Sequence, residues 1–435
     1  MKMNEVIEKT LIRTREEIAM YSSIVDILEK MPGDMNYLTV PTLKNMTQQG
    51  QEIIDCVENG KPFAASAYTN PSEILAAMDL PWYFIFKQAF SGGLPNPHIA
   101  EDLEAIDSMP IASEECSLTR LGLHYLNAGL LPRPTVYLGV TSPCDNVVGS
   151  HEAIRTHSMW KDVPSWAPDT LYWSDEESIK YFAEELKEMV RFTTQHTGKK
   201  LDIDQLREIV EETNKQYVLW QEYSDLKRAV PTPHSYNMSL QCFWQTNSSG
   251  VGKPEFTQWF RDLVADAEKR VQEKRPELSG QKIRCLWFDI PPLCIQDLFG
   301  WMQQEWGATV VMDMISYCPY TSIDTKNEDT IFYGLAKRAL IDPPMIRQAR
   351  GLVQNFLTDI ERIVTDYKID CVIWPGHVGH KDGAASASLM REKCRELGVP
   401  LMHIGMDSFD LRNTSLEEIK TKVSQFFMST GLGSK

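Results

Sequence analysis

Two imidazoles stand three residues apart, His377 and His380, in a loop that glycines interrupt: WPGHVGHKDG, residues 374–383. Imidazole is the commonest metal ligand, and it changes charge near neutral pH. Gly376, Gly379 and Gly383 precede a segment of helical period. A backbone of that kind can turn its N–H groups on an anion, and Lys381 would add positive charge. A phosphate or a carboxylate is then an alternative occupant to a metal. The loop carries neither a Walker nor a dinucleotide fingerprint, and ordinary loop histidines would read the same way. A second polar cluster follows at Asp407, Asp410, Arg412 and Asn413. Its members could equally cap the helix behind them and pair with one another.

The elements that must position these residues are legible around them. Cys371 to Trp374 is a short apolar run, and helical period covers about Ala384 to Leu397. Gly398-Val399-Pro400 stops that helix, and Leu401 to Ile404 is a second apolar run. A last helix is predicted to start near Thr414, with Glu417 completing a capping box. Strand, loop, helix, repeated, is the pattern of a parallel α/β layer. Ligands of such sheets sit outside the carboxyl ends of the strands. The loops at 375–383 and 405–413 are therefore expected side by side at one sheet edge.

The rest of the chain reads as a helical arm and a second such unit. Residues 1–61 are two helices joined around Pro32-Gly33-Asp34. In 62–175, PFAASAY and TVYLGV are strand candidates, Thr170 to Trp173 a further short one, and Asn70-Pro71 starts a helix. Residues 176–280 are helical, with charges interleaved. A second α/β unit occupies 281–435, where IRCLWFDI and TVVMDM are strands. The fold class is α/β: two parallel-sheet, Rossmann-like domains joined by a helical segment.

Bulk properties exclude some partners. The 435 residues are 43% hydrophobic and 24% charged, as in ordinary globular proteins. The net charge of −16 argues against a nucleic-acid partner, since no basic patch stands out to neutralise phosphates. No apolar run is long enough to span a membrane, and the charged N-terminus lacks the apolar core of a secretion signal. The expected location is cytoplasmic. The nine cysteines are then reduced thiols or metal ligands, and none forms a CxxC pair. Core packing is the default for Cys242, Cys285, Cys294 and Cys394. Cys144 sits on a strand-to-helix turn, Cys116 near a helix start and Cys318 in a loop. Cys116 and Cys144 could also be buried structural thiols.

Four stretches, in order, resemble the 2-hydroxyacyl-CoA dehydratase and benzoyl-CoA reductase family of iron–sulfur subunits. They are YTNPSEILAAMDLP (68–81), EECSLTRLGL (114–123), VYLGVTSPCDN (136–146) and IGMDSFDLRNTSLEEIKTKVSQFF (404–427). The resemblance implies two α/β domains with a helical part. It implies a [4Fe–4S] cluster held by three cysteines, of which Cys116 and Cys144 match two. It further implies a homologous second subunit in a heterodimer and an ATP-dependent iron–sulfur activator that injects one electron. The substrate would be a CoA thioester, reduced to a ketyl-like radical. Such an electron makes acidic a β-proton that no side-chain base could otherwise remove, and a cluster can supply it at low potential.

The sequence departs from that family pattern twice. The loop expected to hold the third cysteine has none; His380 takes its place, with His377 three residues earlier. Either a histidine ligates the cluster, or two cysteines hold it with help from a non-protein group or the partner, or the cluster is gone. In the last case the chain is a pseudo-subunit, or a small-molecule binding protein, that docks a catalytic homologue. The loop glycines and Lys381 would then suit a CoA phosphate. The substrate pocket departs as well. Ser66 matches the family's serine, but PWYFIFKQAF (81–90) offers no carboxylate after it. That would make this chain the electron-relay half.

Overall fold

The structure is a computed structural model. It describes residues 3–31, 33–67, 69–86, 97–142, 144–292, 294–295, 297–317, 319–343, 346–347, 353–412 and 414–434. Cys318 and Asn413 lie outside the described residues.

The N-terminal arm is a helical hairpin of α1 (Met3–Lys30) and α2 (Asn36–Asn59). The first sheet unit follows as β1 (Ala64–Ser66), α3 (Ser72–Ala77), β2 (Trp82–Phe84), α4 (Ile99–Asp107), α5 (Ser117–Asn127), β3 (Val136–Leu138), α6 (Asp145–Thr156) and β4 (Ser165–Trp166). Helices α7 (Glu176–Thr197), α8 (Ile203–Leu226), α9 (Asn237–Asn247) and α10 (Pro254–Glu273) come next. The second unit is β5 (Ile283–Trp287), α11 (Leu298–Trp306), β6 (Ala308–Asp313), α12 (Glu328–Ile341), α13 (Val353–Asp366), β7 (Cys371–Trp374), α14 (Lys381–Glu396), β8 (Leu401–His403) and α15 (Leu416–Ser429).

Each unit builds a four-stranded sheet, with every described pairing parallel. The strand orders are β2-β1-β3-β4 and β6-β5-β7-β8, the same permutation twice. The molecule is thus an α/β protein of two parallel-sheet domains. In each, the chain leaves the first strand toward one side and returns on the other. A crevice opens where that direction reverses, at the carboxyl ends of β1 and β3 and of β5 and β7.

Strands β1, β3, β5, β6 and β7 are buried at every residue. A parallel sheet needs this, because helices cover both of its faces. Ala64, Val136 and Leu138 face α3, α7 and α8, whereas Ala65 and Tyr137 face the layer of α2, α5 and α10. In the second sheet Ile283, Cys285 and Trp287 meet α11 and α15, and Leu286, Val372 and Trp374 meet α13 and α14. Cys242, Cys285, Cys371 and Cys394 are buried in these layers, and the sulfurs of Cys285 and Cys371 lie 3.6 Å apart.

Three local expectations are corrected. Thr170 to Trp173 is not a strand. Ser165–Trp166 already holds the edge beside β3, and Leu171, Tyr172 and Trp173 are exposed. Helix α14 begins at Lys381, so Gly383 belongs to the helix and not to the loop. Trp374 packs over Gly383, with ring atoms 3.5 Å from where a Cβ would stand. The last helix is capped by Ser415, one residue after Thr414, and its hydroxyl accepts the Glu418 N–H. No helix among the described residues is long and apolar enough to cross a membrane.

Buried contacts tie the second unit to the rest of the chain. Arg284, in β5, donates to the carbonyls of Lys227 and Ala229 at the end of α8. Helix α12 packs on α7 and shares the layer beneath the first sheet. There the buried Arg338 guanidinium lies 2.5 Å from Glu73, over the rings of Tyr217 and Tyr320. Removing one member of such a pair leaves a bare buried charge. Glu73→Gln is expected to cost about 3 kcal/mol of stability, and Glu73→Leu with Arg338→Met to recover most of it. Thermal unfolding checks this; an unchanged midpoint for Glu73→Gln would show that the pair is not desolvated.

Candidate functional site

The two crevices face one another across a single cavity. Ser66 reaches it from the end of β1, Cys144 and Asn146 from the start of α6 after β3, Asp289 from the loop after β5, Trp374 from the end of β7 and His380 from the loop that follows it. Cys116, at the start of α5, completes the ring.

Three of these side chains hold equivalent places in their helices. Cys116 is the N-cap residue of α5, Cys144 of α6 and His380 of α14. Three helix N-termini thus converge on one cavity, each carrying a partial positive charge. For the thiols that field competes with burial. Burial pushes Cys144 up to about 11, against the pull of the Val147 N–H. Burial likewise drives Cys116 well above the usual thiol value, and Asp407 and Cys144 add to the rise. Both are neutral thiols in the protein alone.

The imidazoles are held in opposite charge states. Burial lowers His377 to about 4, so its ring is neutral near pH 7. The Ser408 N–H donates to Nδ1 of His377 at 3.1 Å. The ring proton therefore sits on Nε2, 3.1 Å from the Cys116 sulfur. Both nitrogens of His377 are engaged. Burial would lower His380 too, but Asp289 raises it to about 9. Nδ1 of His380 lies 2.8 Å from Asp289. Asp289 also accepts the N–H groups of Ile290 and, at 3.4 Å, of His377. A carboxylate on one imidazole nitrogen is the usual support of a metal-ligating histidine, whose other nitrogen serves the metal.

The loop glycines answer to packing. Gly379 lies against Cys116 so closely that a Cβ would stand 2.5 Å from the cysteine Cβ. Gly376 has φ +59°, and the His403 ring, stacked on Trp374, fills the place of its side chain. Lys381 lies 3.7 Å from Glu115 and 3.8 Å from Asp145, between two carboxylates. Ser66 is buried, and its hydroxyl is 3.4 Å from the Asn70 carboxamide. That carboxamide donates to the carbonyls of Leu138 and Gly139, tying β1 to β3 at their carboxyl ends.

Asn146 and Asp289 escaped the sequence reading. Asn146 accepts the Cys116 N–H at 3.2 Å and donates to the Gly379 carbonyl at 2.7 Å. It closes the first unit's cysteines onto the second unit's histidine loop. Around it Ser117 donates to Asp407 at 2.5 Å, and Arg412 pairs with both Asp410 and Asp107. Asp407, Asp410 and Arg412 thus hold the units together as well as pairing locally. The available signal for Asp289 was an acidic residue at the carboxyl end of a buried strand.

Among the described residues no trio of His, Cys, Asp or Glu is gathered as a ready-made site for a metal ion. Cys116, Cys144 and His380 instead surround a hollow. That arrangement suits a polynuclear cluster, which spaces its ligands around itself. Thiolate and imidazole are both ligand types found in iron–sulfur centres.

The profile of the family "2-hydroxyglutaryl-CoA dehydratase, D-component" matches residues 67–429. The alpha subunit of (R)-2-hydroxyglutaryl-CoA dehydratase from Acidaminococcus fermentans is 20% identical over 329 residues, 74% of this chain and 66% of that protein. The chain thus spans just under two thirds of that relative's length. The (R)-phenyllactyl-CoA dehydratase alpha subunit from Clostridium sporogenes is 19% identical over 331 residues, 74% of this chain and 78% of that protein.

Asn146→Ala would strand a buried N–H and a buried carbonyl at once. Each loss costs about 1–3 kcal/mol. The variant is expected to unfold at lower temperature, and native Cys116 to become several-fold more reactive toward a thiol reagent. Peptide mapping after timed labelling reads this; unchanged reactivity would mean that Asn146 does not close the site.

Proposed function

Because the chain belongs to the 2-hydroxyglutaryl-CoA dehydratase D-component family, we propose that it is the [4Fe–4S]-bearing subunit of a 2-hydroxyacyl-CoA dehydratase-like enzyme. The observation that carries the reading is the convergence of Cys116, Cys144 and His380, each at a helix N-cap, on one cavity. It works with a homologous second subunit and an ATP-dependent iron–sulfur activator. That both relatives are named as subunits supports the partner.

In this reading Cys116 and Cys144 bind as thiolates, which the three helix ends favour once a cation offsets burial. His380 gives up its ring proton to serve as third ligand through Nε2, with Asp289 fixing Nδ1. His377 stays outside the ligand set and directs its Nε2 proton at the Cys116 sulfur, a contact that tunes potential. When bound, the cluster would supply a low-potential electron to the thioester carbonyl. In this reading Ser66, which lines the cavity, would hydrogen-bond an oxygen of the substrate.

The His380–Asp289 pair also favours a second reading. With His380 charged, the cavity holds a CoA thioester without metal, and the catalysis belongs to the partner. Anaerobic purification with iron and sulfide analysis, and electron paramagnetic resonance after reduction, separates the two. The proposal expects iron and sulfide in equal amounts and a signal lost in Cys116→Ser and Cys144→Ser. His380→Ala should lose most of the iron and His380→Cys keep it. A His380→Ala variant at full occupancy would remove that ligand, and iron-free wild type would favour the second reading.

A further inference from the structure

The cavity also carries information about the acyl group it admits. Its walls are aromatic from three directions. Phe84 and Phe86 come from the first sheet's edge, Phe243 and Trp244 from α9, and Phe288 and Trp374 from the second sheet. Phe84 and Phe86 meet edge to face at 5.7 Å. Phe86 lies directly on α5 at Gly122, where a Cβ would fall 2.2 Å from its ring. The absence of a side chain at Gly122 gives the Phe86 ring its place on this wall.

The charged side chains on the cavity, among the described residues, are Asp289, His380 and Asp382; no arginine or lysine lines it. Asp289 and His380 already match one another at 2.8 Å. Asp382 is a further carboxyl group on the wall. An acyl chain ending in a second carboxylate would meet aromatic walls and carboxyl side chains, with no arginine or lysine among the described lining residues. Burying an unpaired carboxylate there is strongly unfavourable, whereas burying a ring against aromatic walls is favourable.

We propose that this site selects an uncharged, ring-bearing acyl group and rejects a dicarboxylic one. The inference rests on the reading above that a CoA thioester binds in this cavity. Calorimetric titration of the anaerobically purified protein, with any co-purifying subunit, tests it. The probes are 3-phenylpropionyl-CoA, glutaryl-CoA and free CoA. The phenyl thioester is expected to bind at least about 100-fold tighter than the glutaryl one. Phe84→Ala should weaken the phenyl thioester about 10-fold and leave the glutaryl one unchanged. The wild-type comparison decides even where that variant folds poorly. Equal affinities, or tighter glutaryl binding, would overturn the inference while the CoA reading stands. Failure of all three probes to bind would overturn the CoA reading and the inference with it.

Discussion

One carboxamide holds the site together. Asn146 accepts a proton from the Cys116 backbone and gives one to the Gly379 carbonyl, so residues from the two sheets are locked within a hydrogen bond of each other. It joins the crevice that carries Cys116 and Cys144 to the one that carries His380. The backbone groups it satisfies are buried, where an unpaired N–H or carbonyl is costly. That cost makes the closed arrangement specific. Ser117 with Asp407 and Arg412 with Asp107 brace the same seam, and Gly379 lets the chains approach because it has no side chain to interpose.

The electrostatics of the closed site are a contest between burial and helix ends. Burial wins for the thiols in the protein alone, since Cys116 and Cys144 both sit above the ordinary thiol range. Helix N-termini weaken that preference without reversing it. A metal cation would reverse it, since coordination requires deprotonated sulfur. The imidazole tells the complementary story. Asp289 holds a proton on His380 to about pH 9, and the same carboxylate would orient the ring toward a metal once that proton left. The two states share one scaffold and differ in what neutralises Asp289.

The architecture was legible because each buried strand is an apolar run bounded by turn residues, and that signal is local. IRCLWFDI and TVVMDM became β5 and β6, and the loop histidines did fall at a sheet's carboxyl end. What failed was decided by distant partners. Gly383 reads as loop, yet it lies in α14, packed under Trp374. The aromatic run Thr170 to Trp173 reads as strand, yet β3's free edge is taken by Ser165–Trp166. Asn146 was visible beside Cys144, but its role depends on Gly379, far along the chain. Nothing in the spacing of Cys116 and Cys144 showed that they meet; only the likeness to a family suggested it. The opposed charge states of His377 and His380 depend on burial and on Asp289, which no pattern near the histidines reveals.

The most direct measurement is anomalous diffraction at the iron edge from anaerobically grown crystals of the protein with its co-purifying subunit. The account predicts an iron peak in the cavity between Cys116, Cys144 and His380, within bonding distance of both sulfurs. An iron peak bound elsewhere on this chain, or a cavity without iron and with the His380–Asp289 pair intact, would contradict it.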